Sequence, residues 1–579
     1  MPCALDRLRV EAVYVLSATG LVAADAVALS EPRQAGIADL AFPVFPVAKA
    51  AGAAPPEFAA RLAAACAPPA DGLVSSVEAA GGFVNITAHP ARFAEAVLAD
   101  VRALGARYGD DPEVGAGRTV VVEYSSPNIA RKMHVGHLRS TVIGHSIRRI
   151  HQALGYNVVA DNHLGDWGTQ FGMLLAAIDL WGATPWDDAD PVQSLVELYA
   201  KYNAAAKEDE ALRDAARAWF RRLEEGDAWA RATWQKLIDI TMAEFDRTYA
   251  RLGVSFDTVH GESYFEDMMP PLLEEALAKG VARREEAGAV VVDFDGALPL
   301  CQLLKSDGAT LYQTRDAATC LYRLREYAPA RNIYVVGAEQ RLHFQQVFEI
   351  VRRLGYPEIA DVSVHISFGQ VKPPDGRRFS MREGNVVFLD DVLDEAVDRA
   401  REKVDANIAS GRYDLDPAEA QAIAEMLGVG AVIYFDLHQG PDRTIVFDWD
   451  RMLADEGNTA TYIQYTHARC RSILRKAGVD SAGAVDAARL TGPEELAVLR
   501  QLARMPHAVR EAGAKFLPAT LATWTYELAR AFARFYDACP VIGADDPQTR
   551  AARLALVDAT AQGLRNGLAL LGIGAPERM

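Results

Sequence analysis

The stretch between Val120 and Ala160 constrains the fold most, because its pattern changes from strand to helix and back to strand. β-branched residues at its start predict a strand, which ends in a turn that contains Pro127. Apolar residues then recur at helical spacing, and Gly155 marks the expected end of the helix. The pattern recurs later in the chain, so we predict an α/β fold with a mostly parallel sheet.

The turn of this unit has the character of an anion site. No acidic residue occurs from Tyr124 to Ala160, although the whole chain has a net charge of −18. Arg131 and Lys132 precede the run His134-Val-Gly-His137, which opens the helix. Backbone N–H groups at a helix start, the helix dipole and cationic side chains all favour phosphate. The alternative is a solvated basic helix face beside a packing glycine.

The residues around the turn resemble a known family. Ser125-Ser-Pro-Asn-Ile-Ala130, then His-x-Gly-His and Leu138-Arg-Ser-Thr-Val-Ile-Gly144, resemble the signature of class I aminoacyl-tRNA synthetases, in particular the bacterial type of arginyl-tRNA synthetase. His-x-Gly-His alone is a weak signal, because nucleotidylyltransferases share it. The block His163-Leu-Gly-Asp-Trp-Gly-Thr-Gln170 agrees in order and spacing. The resemblance covers nearly the whole chain and implies a Rossmann-like core.

Length and pattern divide the chain into three expected domains. Residues 1–108 predict an α+β unit, which resembles the additional tRNA-binding domain of the family; a packing unit without RNA contact is the alternative. Residues 109–440 form the nucleotide-binding core, with a helical connective insertion at about 176–300 to which we assign no chemistry. Residues 441–579 predict an all-α unit that resembles the family's anticodon-binding domain.

Bulk composition restricts the compartment and the partners. The N-terminus has no basic-then-apolar signal pattern and no uninterrupted apolar run reaches membrane-spanning length, so we expect a cytoplasmic protein without a membrane partner. The six cysteines are scattered without a Cys-x-x-Cys pair, which argues against disulfides and structural zinc. The pI near 5.2 predicts an RNA-binding surface that is basic only locally.

An arginine pocket is expected in the second half of the core. A guanidinium is planar and cationic, so it is matched by carboxylate and hydroxyl acceptors. Asp316 supplies the carboxylate, and Tyr312 lies four residues earlier on the same helical face. By resemblance the remaining arginine-binding residues are Gln340, Glu123, Ser125 and Asn128.

Purely structural ion pairs are the alternative for the acidic members of this set. Asp316 could pair with Arg315 or Arg323, and Glu123 could pair with Arg131. These pairings stay open at the level of sequence.

The resemblance also implies an ATP site. His134 and His137 are expected to donate to phosphate oxygens, and Gly136 to let the backbone approach the adenine. His163 and Gln370 are further ATP-binding candidates, and Mg²⁺ is expected to accompany ATP.

Two residues near His163 have structural expectations. Asp166 is expected to cap the next helix, and Trp167 to be available for the core.

A departure from the family concerns its mobile lysine-rich loop, which in class I enzymes stabilises the pyrophosphate leaving group. The aligned residues run from Arg378 to Arg382, include Ser380, and lack both lysines. We keep Ser380 and Arg382 as catalytic candidates. The resemblance implies that a cation before the histidines substitutes, and Arg131 and Lys132 are the two candidates.

Together these features predict an arginyl-tRNA synthetase that forms arginyl-adenylate from L-arginine and ATP and transfers arginine to tRNA(Arg). By family analogy the activation step depends on tRNA, and the enzyme is a monomer. A non-catalytic tRNA-binding paralogue and another class I synthetase or nucleotidylyltransferase are the rival predictions. Candidate tyrosines in the last domain, for stacking on anticodon bases rather than core packing, are Tyr462, Tyr465, Tyr526 and Tyr536.

Overall fold

The computed structural model describes residues 2–32, 38–372, 387–479 and 483–579. The N-terminal unit is α+β, as its pattern predicts. Its strands β1, β2 and β3 form an antiparallel sheet in the order β1-β3-β2. The elements of this unit and of the linker after it are α1 (Ala4–Ser17), β1 (Leu40–Pro43), α2 (Phe45–Ala50), α3 (Pro55–Ala65), β2 (Val74–Ala80), β3 (Phe83–Ala88), α4 (Pro90–Leu104) and α5 (Pro112–Gly115).

The core contains the predicted parallel sheet, with strands β4, β5, β9 and β10 in the order β10-β9-β4-β5. These strands and the helices between them are β4 (Thr119–Glu123), α6 (Val135–Ala153), β5 (Asn157–Asp161), α12 (Tyr312–Tyr327), β9 (Arg331–Gly337), α13 (Arg341–Arg353), α14 (Pro357–Ala360) and β10 (Ser363–Phe368). Three valines of β4 are buried on both faces of the sheet, as expected for a parallel sheet covered by helices. The predicted α/β class is confirmed.

The connective insertion lies between the two halves of this sheet. It is mostly helical and closes with a small antiparallel sheet. Its elements are α7 (Thr169–Trp181), α8 (Pro191–Glu208), α9 (Glu210–Glu224), α10 (Ala228–Leu252), α11 (Met269–Ala278), β6 (Arg283–Arg284), β7 (Val290–Val292) and β8 (Cys301–Leu304). A 3₁₀ helix, Glu262–Met268, precedes α11.

The C-terminal part is helical beyond residue 450, as predicted. Proline often stands at the first helical position, where its missing N–H costs nothing. The remaining elements are β11 (Val371–Lys372), α15 (Leu389–Ala409), α16 (Pro417–Leu437), β12 (Ile445–Val446), α17 (Trp449–Met452), α18 (Ala460–Ala477), α19 (Pro493–Ala503), α20 (Met505–Lys515), α21 (Pro518–Ala538) and α22 (Pro547–Leu570).

Helix α16 is long and apolar enough to cross a membrane by length and composition, but 78% of its most apolar window is buried inside the protein. Its buried Asp436 pairs with Arg139 of α6, with Nε and Oδ2 3.0 Å apart. Arg139 also donates to the carbonyls of Gly369 and Arg443, both at 2.7 Å. The helix therefore packs as a core element that joins the C-terminal part to the nucleotide-binding half.

Candidate active site

The candidate residues converge on one edge of the parallel sheet, outside the carboxyl ends of its strands. Strand β4 ends at Glu123, β5 at Asp161, β9 at Gly337 and β10 at Phe368. The predicted site residues that the structure describes in the core lie in the segments after these strand ends or on α12. In open parallel sheets this edge is where ligands bind, at the point where the strand order reverses.

The two histidines form a compact pair at the start of α6, with ring centroids 4.0 Å apart. His134 Nδ1 accepts from the Gly136 N–H at 3.0 Å, and His137 Nδ1 accepts from the His134 N–H at 3.0 Å. Burial lowers the pKa of His134 and, with the nearby charges, lowers the pKa of His137 to about 3. Both rings are therefore neutral, and because each Nδ1 accepts, each proton is on Nε2.

This tautomer leaves both rings with an Nε2–H donor for a ligand, as phosphate binding requires. Gly136 is needed for this geometry, because a Cβ there would lie 2.7 Å from the His134 ring. The turn is also fixed from outside. Leu389 donates its N–H to the Met133 carbonyl at 3.0 Å, so the residues after 386 pack against the histidine turn.

The two cations before the histidines have different surroundings. The positive charge of Arg131 contributes to the low pKa of both His134 and His137. Its guanidinium lies over the Tyr199 ring, 5.9 Å from the centroid. Lys132 instead forms an ion pair with Asp190 of the insertion, with Nζ and Oδ2 2.5 Å apart. Of the two cations, Arg131 is thus the one whose charge lowers the pKa of both histidines.

Two carboxylates at the strand ends share one buried guanidinium. Arg323 Nη2 of α12 donates to Glu123 Oε2 at 2.6 Å and to Asp161 Oδ2 at 2.7 Å. Burial raises the pKa of Glu123 despite Arg323. Burial opposes ionisation of Asp161 as well, but the hydrogen bond from His260 and the charge of Arg323 lower its pKa. Glu123 therefore pairs with Arg323, and the sequence alternative of Arg131 is wrong.

Glu123, Asp161 and His163 also bring three possible metal-ligand atoms within 4.8 Å of one another. The Arg323 guanidinium already binds both carboxylates, so an ion-pair cluster is the chemistry that this donor set supports. Among the described residues none forms a hydrogen bond with the buried Nδ1 of His163, and the His163 ring lies against Phe265, 5.5 Å between centroids.

Asp316 lies beside this cluster on α12. It binds the side chain of His343 on α13, and not Arg315 or Arg323 as the sequence alternatives had it. Burial opposes its ionisation, but the His343 hydrogen bond and charge outweigh burial and lower the pKa of Asp316. Tyr312, at the first position of α12, is 63% exposed, and Gln340 is exposed at the start of α13. Both side chains are accessible to a ligand.

Glu262 is a site residue that the sequence reasoning missed. It lies in the 3₁₀ helix at the end of the insertion, with its Oε2 3.2 Å from Nη1 of Arg315. Burial raises the pKa of Glu262 to about 7, although Arg315 and His163 oppose the shift. The charge of Asp316 contributes to this rise in the pKa of Glu262, because two nearby carboxylates repel each other.

The insertion, to which the sequence analysis assigned no chemistry, therefore supplies part of the site. The signal in the sequence was a carboxylate between His260 and Ser263.

The remaining arginine candidates lie in the turn after β4. The Ser125 hydroxyl is bonded to Tyr249 Oη and Thr141 Oγ1, both at 2.8 Å, so it is already engaged inside the protein. Asn128 is exposed and packs against Gly165, where a Cβ would lie 2.1 Å from its Oδ1.

Other candidates have mixed outcomes. Gln370 is exposed beside β11. Ser380 and Arg382 lie outside the described residues. The expected cap role of Asp166 for α7 is wrong: α7 has Gly168 at its N-cap, and Asp166 instead accepts from the Ser263 N–H at 2.9 Å and from its hydroxyl. Ser263 belongs to the insertion, so the packing of the insertion against the core determines this contact of Asp166. Trp167 is buried in the core.

Three family models match consecutive parts of the chain. Residues 11–88 match "Arginyl tRNA synthetase N terminal domain", residues 101–449 match "tRNA synthetases class I (R), catalytic domain", and residues 463–579 match "DALR anticodon binding domain". The catalytic model spans more than half of the chain. The order of the three matches agrees with the order of the three predicted domains.

Individual relatives give the same result. The arginine–tRNA ligase of Chloroflexus aggregans is 50% identical over 581 residues, which cover 100% of each chain. That of Clostridium perfringens is 40% identical over 550 residues, or 95% of each chain. Among solved structures, the arginyl-tRNA synthetase of Thermus thermophilus superposes with a TM-score of 0.81 at 26% identity, covering 99% of this chain and 100% of that one.

The shared guanidinium yields a stability prediction. Arg323→Met leaves Glu123 and Asp161 buried without their cation, so we expect the free energy of unfolding to fall by about 3–5 kcal/mol at neutral pH. Urea unfolding of the variant, beside Arg325→Met on the exposed face of the same helix, measures the difference. Equal stability of the two variants would contradict this role for Arg323.

Proposed function

The chain belongs to the arginyl-tRNA synthetases and is an aminoacyl-tRNA ligase of class I, and we propose that the edge of the parallel sheet is where it joins arginine to tRNA. The observation that supports this placement is the juxtaposition of two neutral histidine donors with a set of buried carboxylates. The histidine donors suit the phosphates of ATP, and the carboxylates suit the guanidinium of arginine.

Arginine activation is the first step. A carboxylate oxygen of arginine bonds to the α-phosphorus of ATP while the bond to the β-phosphate oxygen breaks and pyrophosphate leaves. No protein nucleophile is needed, so catalysis rests on positioning and on charge stabilisation. His134 and His137 donate their Nε2–H groups to phosphate oxygens, and Arg131 adds positive charge. Mg²⁺, which the family resemblance implies as a companion of ATP, would add positive charge at the phosphates.

Transfer to tRNA is the second step. A hydroxyl of the terminal ribose attacks the carbonyl carbon of arginyl-adenylate, the bond from that carbon to the phosphate oxygen breaks, and AMP leaves. The hydroxyl proton departs with the products. In this proposal the activation step requires bound tRNA, as the family resemblance implies.

Arginine is selected by the carboxylates of Asp316 and Glu262. They come from different elements, so a planar guanidinium can meet acceptors on two sides, which the single ammonium of lysine cannot do equally well. Tyr312 and Gln340 are exposed and available to close the pocket, and Glu123 supplies negative charge behind it.

Binding of tRNA(Arg) involves both ends of the chain in this proposal. In the C-terminal domain Tyr465 and Tyr536 are each 40% exposed, and the Arg469 guanidinium lies 4.7 Å and 5.4 Å from their ring centroids. Two accessible rings with one shared cation suit stacking of unpaired anticodon bases. Tyr462 and Tyr526 are half-buried and pack against each other. The N-terminal domain contacts the tRNA elbow, and the protein acts in the cytoplasm as a monomer.

A non-catalytic paralogue is the rival function. The absence of both lysines from residues 378–382 favours it, whereas the intact histidine pair and the carboxylate pocket favour the enzyme.

The primary test is charging of total tRNA with each of the twenty amino acids. Arginine alone is expected to be attached, and ATP–pyrophosphate exchange is expected to need tRNA. Charging by another amino acid would refute the assignment of substrate. Exchange at full rate without tRNA would refute only the tRNA dependence of activation.

Asp316→Asn tests the carboxylate pocket. Removing one charged partner of a guanidinium raises the KM for arginine by about a hundredfold, equivalent to about 3 kcal/mol, while the KM for ATP stays unchanged. Steady-state charging kinetics measure both constants, with Asp307→Asn in the exposed turn before α12 as the matched control. Unchanged arginine kinetics would remove Asp316 from the pocket.

Glu262 predicts a pH dependence. Its pKa of about 7 in the free protein means that acidification protonates the carboxylate that a guanidinium needs. The KM for arginine should therefore rise about tenfold from pH 8 to pH 6, because binding favours the ionised form.

In Glu262→Gln the KM for arginine should be high at pH 8 and nearly flat down to pH 6. Asp316→Asn removes a charge that raises the pKa of Glu262, so in that variant the rise in KM should move to lower pH. A flat wild-type profile would contradict a role for Glu262 in arginine binding.

A further inference from the structure

The connective insertion is tied to the histidine turn by one ion pair. Lys132, two residues before His134, places Nζ 2.5 Å from Oδ2 of Asp190 at the start of α8. The second oxygen of Asp190 accepts from the Gln193 N–H at 3.0 Å and caps the helix. Asp190 thus joins the phosphate-facing turn to the first turn of α8 through a single carboxylate.

Helix α10 of the insertion adds two contacts to the same region. Thr241 Oγ1 accepts from the Ala130 N–H at 3.1 Å, just before the two cations. Thr248 Oγ1 donates to Asp390 at 2.8 Å, at the start of α15. The Lys132 ammonium also lies 5.7 Å from the centroid of the Phe388 ring.

Phe388 pairs with His134 through a β-bridge. The insertion therefore contacts the turn directly before the histidine pair, and it also contacts the start of α15, which follows the residue that pairs with His134.

The position of Lys132 argues against direct contact with phosphate. The charge of Arg131 lowers the pKa values of His134 and His137. Nearby acidic groups instead raise the pKa of Lys132. Those groups are Asp190 on α8, Glu244 on α10 and Asp391 on α15. Both cations contact α8, Arg131 through the Tyr199 ring and Lys132 through Asp190, and it is the charge of Arg131 that lowers the pKa of both histidines.

We propose that Asp190 is a positioning residue for the activation step, and that it acts by anchoring Lys132 so that Arg131 and the histidine pair are held toward the ATP phosphates. This inference rests on the proposed function of the same site. The pair is partly exposed, so it contributes little to stability. Small displacements of groups that stabilise a transition state nevertheless have large effects on rate.

The test uses the full-length enzyme and the variants Asp190→Asn, Lys132→Met and their combination. Asn keeps a cap oxygen for α8 but removes the charge that holds Lys132. We expect Asp190→Asn to lower kcat/KM for ATP about tenfold, with the KM for arginine unchanged, because only the phosphate-facing turn is displaced. In the Lys132→Met background, Asp190→Asn should have no further effect.

Asp227 offers a matched control in the same insertion. It caps α10 through the N–H groups of Trp229 and Ala230 and forms an ion pair with Arg222 at 2.6 Å, so these bonds stay within the insertion. Asp227→Asn therefore makes the same chemical change without the proposed link. It should leave kcat/KM for ATP at the wild-type value.

Three results would overturn the proposal. If Asp190→Asn raises or leaves unchanged kcat/KM for ATP, Asp190 restrains Lys132 or is neutral instead of anchoring the turn. An additive loss in the double variant means that Asp190 does not act through Lys132. Equal losses in Asp190→Asn and Asp227→Asn mean a general effect on the insertion. A wild-type enzyme that does not charge tRNA with arginine would instead refute the proposed function itself.

Discussion

The Arg323 guanidinium bridges two carboxylates at the ends of adjacent parallel strands, and the ligand edge of the sheet depends on this bridge. Glu123 and Asp161 end paired strands, so without a cation between them two like charges would be buried side by side. Arg323 comes from α12, which also carries Asp316 and Tyr312. The bridge therefore fixes the helix of the arginine pocket against the strands that lead to the ATP turn.

The turn after β4 depends on a second constraint, which is backbone strain. Ser125, Ser126 and Ala130 have φ values of 72°, 49° and 59°, in a region that residues other than glycine rarely adopt. Each of their N–H groups is bound by a side chain from a different element, Ser140 on α6, Asn162 after β5 and Thr241 on α10. Strain of this kind persists only where surrounding structure fixes it, and it concentrates at functional sites.

Ion pairs join the N-terminal domain to the C-terminal helical domain. Arg500 on α19, Arg504 between α19 and α20, and Arg510 on α20 form ion pairs with acidic groups of the N-terminal unit. Their partners are Asp39, Glu31 and Asp6. Burial opposes the ionisation of Asp6, but its bonds to His507 and Arg510 outweigh burial and lower its pKa. Three arginines of the helical domain thus hold three acidic side chains of the N-terminal unit.

The sequence by itself determined the fold class, the order of the domains and the family, because strand and helix periodicity and the residues around His134 and His137 are local features. The histidine turn, which was predicted between a strand and a helix, follows β4 and opens α6 in the structure. Partners across long separations were decided only by tertiary structure: Arg323 for Glu123, His343 for Asp316, and Ser263 instead of a helix cap for Asp166. Glu262 became part of the site for the same reason. A local pattern reports which face of an element is buried, whereas the charge that neutralises a buried carboxylate is chosen by whichever distant element the fold brings within hydrogen-bonding distance.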